Sequence, residues 1–323
     1  MDTNVSSVAP VPEDSQSASL HHATSGLFKG DAGTPRNLHG TLPHTLTQRS
    51  RLPHISSRLL TLLAAGLALA VLMTIAAVAA LMPDSGLVTH LDARILPPSW
   101  THPFGTDPLG RDMLTRTIKG LAVSMRVGLI ASTGATLIAI TLGILSALSK
   151  KLDMGIGVLI DLTMALPHLV LLILISFALG GGTKGVIIAV AISHWPGLAR
   201  LVRAEFRSLR ESDFVLAARS LGYSDARIIF HEILPNALPP LIVTTSVMVA
   251  TAILIESALA FLGLGDPNRV SWGSLIGAGR EMLRTAWFLT AFPGAMIVAT
   301  VLSLNLVGDA LNDALNPRLR GLS

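Results

Sequence analysis

Asp161, His168 and Glu256, side chains able to do acid–base chemistry, stand inside long apolar stretches of this chain. Such groups are costly in hydrocarbon. They mark either a polar pathway and its gates or the hydrogen bonds that hold helices together. Asp161 and His168 are two turns apart on one apolar run, and Asn305 and Asp309 lie near the end of another. Taken as a set, Asp161, His168 and Glu256 could also relay protons or ions. None belongs to a nucleophile–base pattern or a metal-ligand spacing, so no catalytic residue and no metal site is expected. Cysteine is absent, which removes disulfides and thiolate metal sites. No G-x-x-x-x-G-K-[ST] stretch occurs, and Lys184 follows three glycines in a short turn rather than after a strand, so no P-loop nucleotide site is expected.

The elements that must position these groups are helices in a bilayer. Of 323 residues, 50% are hydrophobic and only 14% charged, with mean hydropathy +0.61, a balance rare in soluble domains. Apolar windows near the length that crosses a hydrocarbon core recur about six times, at 59–82, 123–148, 156–179, 186–202, 238–259 and 287–307. The fold class expected is therefore all-α and polytopic. Pro167 falls mid-window and should kink the third span. With the N-terminus inside, the inner segments carry fifteen Lys and Arg and the outer ones nine, which favours both termini in the cytoplasm. No apolar h-region lies near Met1, so a permanent first span rather than a cleavable signal peptide is expected.

Residues 1–57 are rich in Ser, Pro, Thr, His and Gly, without apolar periodicity, and read as a disordered cytoplasmic tail. Five of the ten histidines lie there (His21, His22, His39, His44, His54), at irregular spacing that suits a solvated tail better than a metal site. Residues 58–323 form the membrane domain. Within it, Pro and Gly between 97 and 110 indicate an ordered outer loop.

One inner segment, 203–237, is polar and basic. Ser212 or Asp213 can cap a helix over 214–221, Gly222 suits the left-handed residue that ends it, and Ser224 can cap a second helix that closes near Pro235. Ala217, Ala218 and Leu221, with Phe214 a turn earlier, make a small-residue face with an aromatic anchor, flanked by Arg219 and Arg227. That face suits a groove on a partner; the other reading is a linker lying on lipid headgroups.

Here the residues resemble a known family. Ala217-Ala218, Gly222 and Leu234-Pro235 are similar to the EAA loop of ABC-importer permeases, with Leu216 where the family has Glu and Glu232 where it has Ile. Gly105-Thr106-Asp107 with Gly110-Arg111-Asp112 resembles the GTDxxGRD signature of the dipeptide/oligopeptide/nickel branch. Phe261 to Gly265 with Trp272-Gly273, and Asn305 to Asp309 with Asp313 and Pro317, resemble its FLGLG…WG and NLxGDxLxDxxDP segments, Asn316 replacing the last Asp. The order and lengths are similar to the C-type subunit. The resemblance implies the type I importer permease fold with about six transmembrane helices in a bacterial inner membrane. It implies a homologous B-type permease, two cytoplasmic ABC ATPases that dock on the coupling loops, and an extracytoplasmic solute-binding protein. ATP and Mg would be bound by the ATPases, with no cofactor on this chain, no catalysis by it and no nucleic-acid partner; membrane lipid surrounds it. Phe214, Ala217, Ala218, Arg219, Leu221 and Gly222 would couple to an ATPase. The solute would be a di- or oligopeptide or, alternatively, nickel or a metal chelate; an ion-coupled secondary transporter is a further reading.

Overall fold

Small side chains recurring every three or four residues shape the bundle. The computed structural model describes residues 55–82 and 87–315, and the side chains among them other than those of 55–61 and 80. Most of the tail read at 1–57, and the closing Asn316, Pro317 and Arg318, lie outside the described residues. The central helix, α2 (Met113–Leu148), buries Gly120, Ser124, Gly128, Ser132, Ala135, Ala139, Gly143 and Ala147 along one stripe. Such a stripe lets neighbouring backbones come close, which is how helices associate where lipid is the alternative solvent. A Cβ on Gly128 would lie 2.8 Å from Ile253 Cγ1, and one on Gly143 would lie 2.2 Å from Val202 Cγ1. Ile253 belongs to α8 (Leu234–Phe261) and Val202 to α5 (Gly182–Arg210). α2 is thus the axis on which both pack.

Around that axis the chain runs α1 (Ile55–Leu81), α2, α3 (Lys150–Ala165), α4 (His168–Ala178), α5, α6 (Asp213–Ser220), α7 (Asp225–Ile228), α8, α9 (Trp272–Gly279) and α10 (Phe288–Leu315). α10 packs on α8 and α1, and α9 fits between α8 and α10. Among the described residues there is no strand, only an isolated bridge between Thr106 and Asp112. Among the described residues, five helices are long and apolar enough to cross a membrane, or six if the bent pair α3–α4 is one span. At 36 residues, α2 is about 54 Å long, well beyond a hydrocarbon core of about 30 Å.

The prolines behave differently from one another. The expected kink at Pro167 is a break: α3 and α4 meet at 93°. Leu166 is extended (φ −83°, ψ 141°), the conformation a following proline enforces. By contrast, the helix expected to close at Pro235 runs on without interruption to Phe261. A π-helical stretch, Ile229–Ile233, precedes Pro235, and this wider turn accommodates a residue with no N–H to donate inside the continuous helix. Asn236 Nδ2 donates to Glu232 O at 2.6 Å, occupying one of the carbonyls there.

Candidate coupling helix and polar centres

α6 is short, so its position depends on its ends and its inner face. Ser212 is the N-cap residue by backbone conformation, but its hydroxyl bonds back to Leu209 O and no side chain caps the helix. The C-terminus is closed tightly. Tyr223 N donates to Ala218 O (3.2 Å) and Gly222 N to Arg219 O (2.9 Å), with Gly222 at φ +79°. This pair of bonds is the Schellman motif, whose left-handed residue favours glycine. Arg219 reaches Asp225 at 3.8 Å, and the Arg227 guanidinium lies 4.1 Å from the Tyr223 ring centroid, so both arginines brace the turn. Ser224 caps α7 through Arg227 N.

The two alanines point different ways. Val215 and Ala218 are buried in a core shared with Phe206, Ile228, Ile229 and Ile233. Phe214, Ala217 and Leu221 face outward, Leu221 being 73% exposed. Ala218 therefore belongs to the seam that fixes α6 to the bundle, and the outward face is Phe214, Ala217 and Leu221.

A second group, not singled out in the sequence, ties this region to the rest. Asp153 at the start of α3 accepts from Arg203 Nε (2.8 Å), Arg207 Nη2 (3.0 Å) and Ser146 Oγ (2.5 Å). Arg210 Nη2 donates to Ala147 O (2.6 Å) near the C-terminus of α2, where free carbonyls attract a cation. The last turns of α5, which lead into α6, are thereby joined to the end of α2 and the start of α3. The Lys150-Lys151-Leu152-Asp153 turn could have suggested an acid facing the arginines of α5, but sequence alone gave no pairing.

Asp161, His168 and Glu256 do not form one relay. Asp161 accepts from Arg200 Nη2 at 2.7 Å, joining α3 to α5. His168, the first residue of α4, sets its ring edge-on to His194 of α5, with centroids 4.5 Å apart. Glu256 lies in a separate seam of α2, α8 and the start of α9. It is 4% exposed, accepts from Ser124 Oγ at 2.9 Å, and has Ser257 Oγ at 3.5 Å and the Ser271 hydroxyl as a further partner. Asn305 is half-buried and Asp309 exposed. A cavity of about 410 Å³ opens between α2, α8 and α10, with Thr133, Thr136, Thr245 and Ser246 among apolar side chains. Hydroxyls without titratable groups gave this cavity no signal in the sequence.

The Gly105–Asp112 motif is a folded bracket. Asp107, 2% exposed, accepts from Leu109 N and Arg111 N (both 2.8 Å), from Arg111 Nε (2.7 Å) and from Arg116. Asp112 caps α2 through Thr115 N at 2.8 Å and meets His102 Nδ1 at 3.2 Å. Thr106 Oγ1 donates to Ala93 O and accepts from Leu96 N, stitching the loop to the segment before it. Gly105 and Gly110 have φ of +74° and +73°, and a Cβ on Gly110 would lie 1.7 Å from His90 O. These six residues therefore build the loop and anchor it to α2.

Residues 139–321 match the family model for the binding-protein-dependent transport system inner membrane component. A peptide transport system permease protein of Brucella abortus biovar 1 (strain 9-941) is 41% identical over 284 residues, covering 87% of this chain and 94% of the relative. The dipeptide transport system permease protein DppC of Alkalihalophilus pseudofirmus is 41% identical over 234 residues, covering 72% of this chain and 77% of the relative. Among solved structures, a chain of the MetNI methionine ABC transporter in an inward-facing form matches with TM-score 0.54 at 17% identity. That match covers 63% of this chain and 98% of the other, and it bears on the fold alone.

Proposed function

We propose that this chain, which belongs to the family of binding-protein-dependent transport system inner membrane components, is the translocation subunit of an ATP-driven importer of di- or oligopeptides. It is a multi-pass inner-membrane protein of the type I importer fold. The peptide assignment is supported by relatives named for peptide and dipeptide transport, one of them aligned over 94% of its length. ATP and Mg are held by two separate ATPase subunits, a homologous permease completes the pathway, and an extracytoplasmic binding protein delivers the solute. Both termini and α6 face the cytoplasm.

One observation carries the coupling role: α6 has an unpartnered outward face, Phe214, Ala217 and Leu221, on a helix whose inner face is fixed in the core. A handle transmits force only if it is rigidly mounted. Val215 and Ala218 seat α6 against α5, α7 and the π-helical stretch, and Asp153 and Arg210 carry the end of α5 onto α2 and α3. Closure of the ATPase dimer would move α6, and the bundle would follow as a unit, shifting the population between inward-open and outward-open states. The hydroxyl-bearing cavity between α2, α8 and α10 is the proposed share of the pathway. Asp161 and His168, beside the break between α3 and α4, are proposed as gate residues, and Glu256 as a fixed link between α2 and α8.

The test is purification of the tagged chain from its native membrane, followed by transport in proteoliposomes. Co-purification of two P-loop ATPases and a second permease, with peptide uptake abolished by ATP depletion, is the expected result. Uptake that survives ATP depletion, driven by an ion gradient, would replace this reading with secondary transport.

A further inference from the structure

We infer that the junction of α2, α3 and α5 is a binding site for the phosphate of an anionic phospholipid headgroup. The inference rests on the cytoplasmic placement of α6 proposed above, since α5 leads directly into that helix.

The site is a cavity of about 360 Å³ lined by Ser146, Ser149, Lys150, Asp153, Arg203, Arg207 and Arg210, with Ala147, Leu148 and Phe206. Four cations face one carboxylate. That carboxylate is already engaged by Arg203 and Arg207, so Lys150 and Arg210 have no countercharge within the cavity. Arg210 spends one Nη on Ala147 O, while its Nε is buried with no hydrogen-bond partner. A phosphate oxygen is the acceptor a guanidinium fork fits best, and three arginines line this cavity. The start of α3 adds to this: Ser149 occupies its N-cap position without capping it by side chain, leaving first-turn N–H groups toward an anion.

The surroundings favour a lipid over a soluble phosphate. Leu148 on the cavity wall is 46% exposed, and Leu152 beside it is 45% exposed. Beyond them, α3 turns an apolar face outward through Met154, Val158, Leu159 and Leu162. A headgroup in the cavity would lay its acyl chains along that face. Basic pockets between helices on the inner side of a membrane are suited to this chemistry. A lipid seated there would brace the joint that carries α6.

The experiment uses the full chain, delipidated in detergent and titrated with phosphatidylglycerol, phosphatidylcholine or inorganic phosphate, with bound ligand counted by native mass spectrometry. Lys150→Glu and Arg207→Gln alter exposed side chains; Arg207→Gln gives up one exposed contact to Asp153, which Arg203 and Ser146 still hold, and Arg203 and Arg210 are left intact. Phosphatidylglycerol is expected to bind at least about 5-fold more tightly than phosphatidylcholine, and each variant to weaken it by about 5-fold, following the contribution of one basic residue at an anionic surface. An unchanged thermal midpoint would show that the variants are folded. Equal binding of the two lipids, or phosphatidylglycerol binding unaffected in the double variant, would overturn the inference. Tight binding of inorganic phosphate that displaces phosphatidylglycerol would overturn the lipid as the source while keeping the phosphate chemistry. The readout involves neither ATPase nor transport, so its failure is distinct from failure of the importer assignment.

Discussion

Asp107→Asn tests whether the Gly105–Asp112 bracket is a structural keystone. The Asp107 carboxylate accepts two backbone N–H bonds through Oδ1, and Arg111 and Arg116 meet Oδ2. Asparagine keeps one acceptor oxygen, so the two backbone bonds can persist. Its amide NH₂ would then face two guanidinium donors. Arg111 is 27% exposed at its side chain and can turn to water, so its loss is screened; Arg116 is 10% exposed and cannot. Arg116 Nε is already buried without a partner, so losing Asp107 strands a desolvated cation. Breaking one side of a buried pair costs about 3–5 kcal/mol, which corresponds to a thermal midpoint lowered by about 5–10 °C. The assay is thermal unfolding in detergent, run as a cycle with Arg116→Met. The double variant removes the stranded charge and should recover about half of the loss, because an apolar side chain of similar length suits the site. A single variant within about 1 °C of wild type, or a double variant worse than the sum of the singles, would refute the reasoning.

Gly222→Val should leave the spans inserted, because a Cβ there meets open space, but the φ of +79° strains the turn by about 1–2 kcal/mol. ATPase activity in the reconstituted complex should then persist while peptide uptake falls. Leu221→Asp, at an exposed position, should weaken ATPase association with no change in the thermal midpoint, whereas Ala218→Asp, at a buried one, should lower the midpoint as well; co-purification yield and unfolding together separate the two. Gly273→Ala should be severely destabilising, since its Cβ would lie 2.1 Å from Ser257 O, and loss of folded protein in size-exclusion chromatography is the readout.

The spans were legible because twenty apolar residues admit few other readings, and α1, α2, α5, α8 and α10 all appear where the windows stand. The left-handed Gly222 was legible because glycine marks such a position locally. What escaped the sequence was relational. A single proline can kink, break or simply start a helix, and the outcome at Pro167 and Pro235 depended on the flanking extended residue in one case and a π-helical turn in the other. The division of Ala217 from Ala218 depended on which side of an eight-residue helix met the core. Asp153 and its arginines lie about fifty residues apart in the chain and declare themselves only when α3 and α5 are placed side by side. The partners of Glu256, three serine hydroxyls supplied by α2, α8 and the start of α9, come from distant parts of the chain in the same way.

The chain contains no cysteine, so an introduced thiol is the single one this chain carries, and Leu221→Cys in the assembled transporter tests the coupling assignment most directly. A short thiol-reactive photocrosslinker placed there should join this chain to an ATPase subunit, and an impermeant maleimide added outside intact cells should not label it. Val215→Cys, facing the core, should give no crosslink. Labelling of Leu221→Cys from outside, or the absence of any nucleotide-hydrolysing partner among its crosslinked products, would contradict the account.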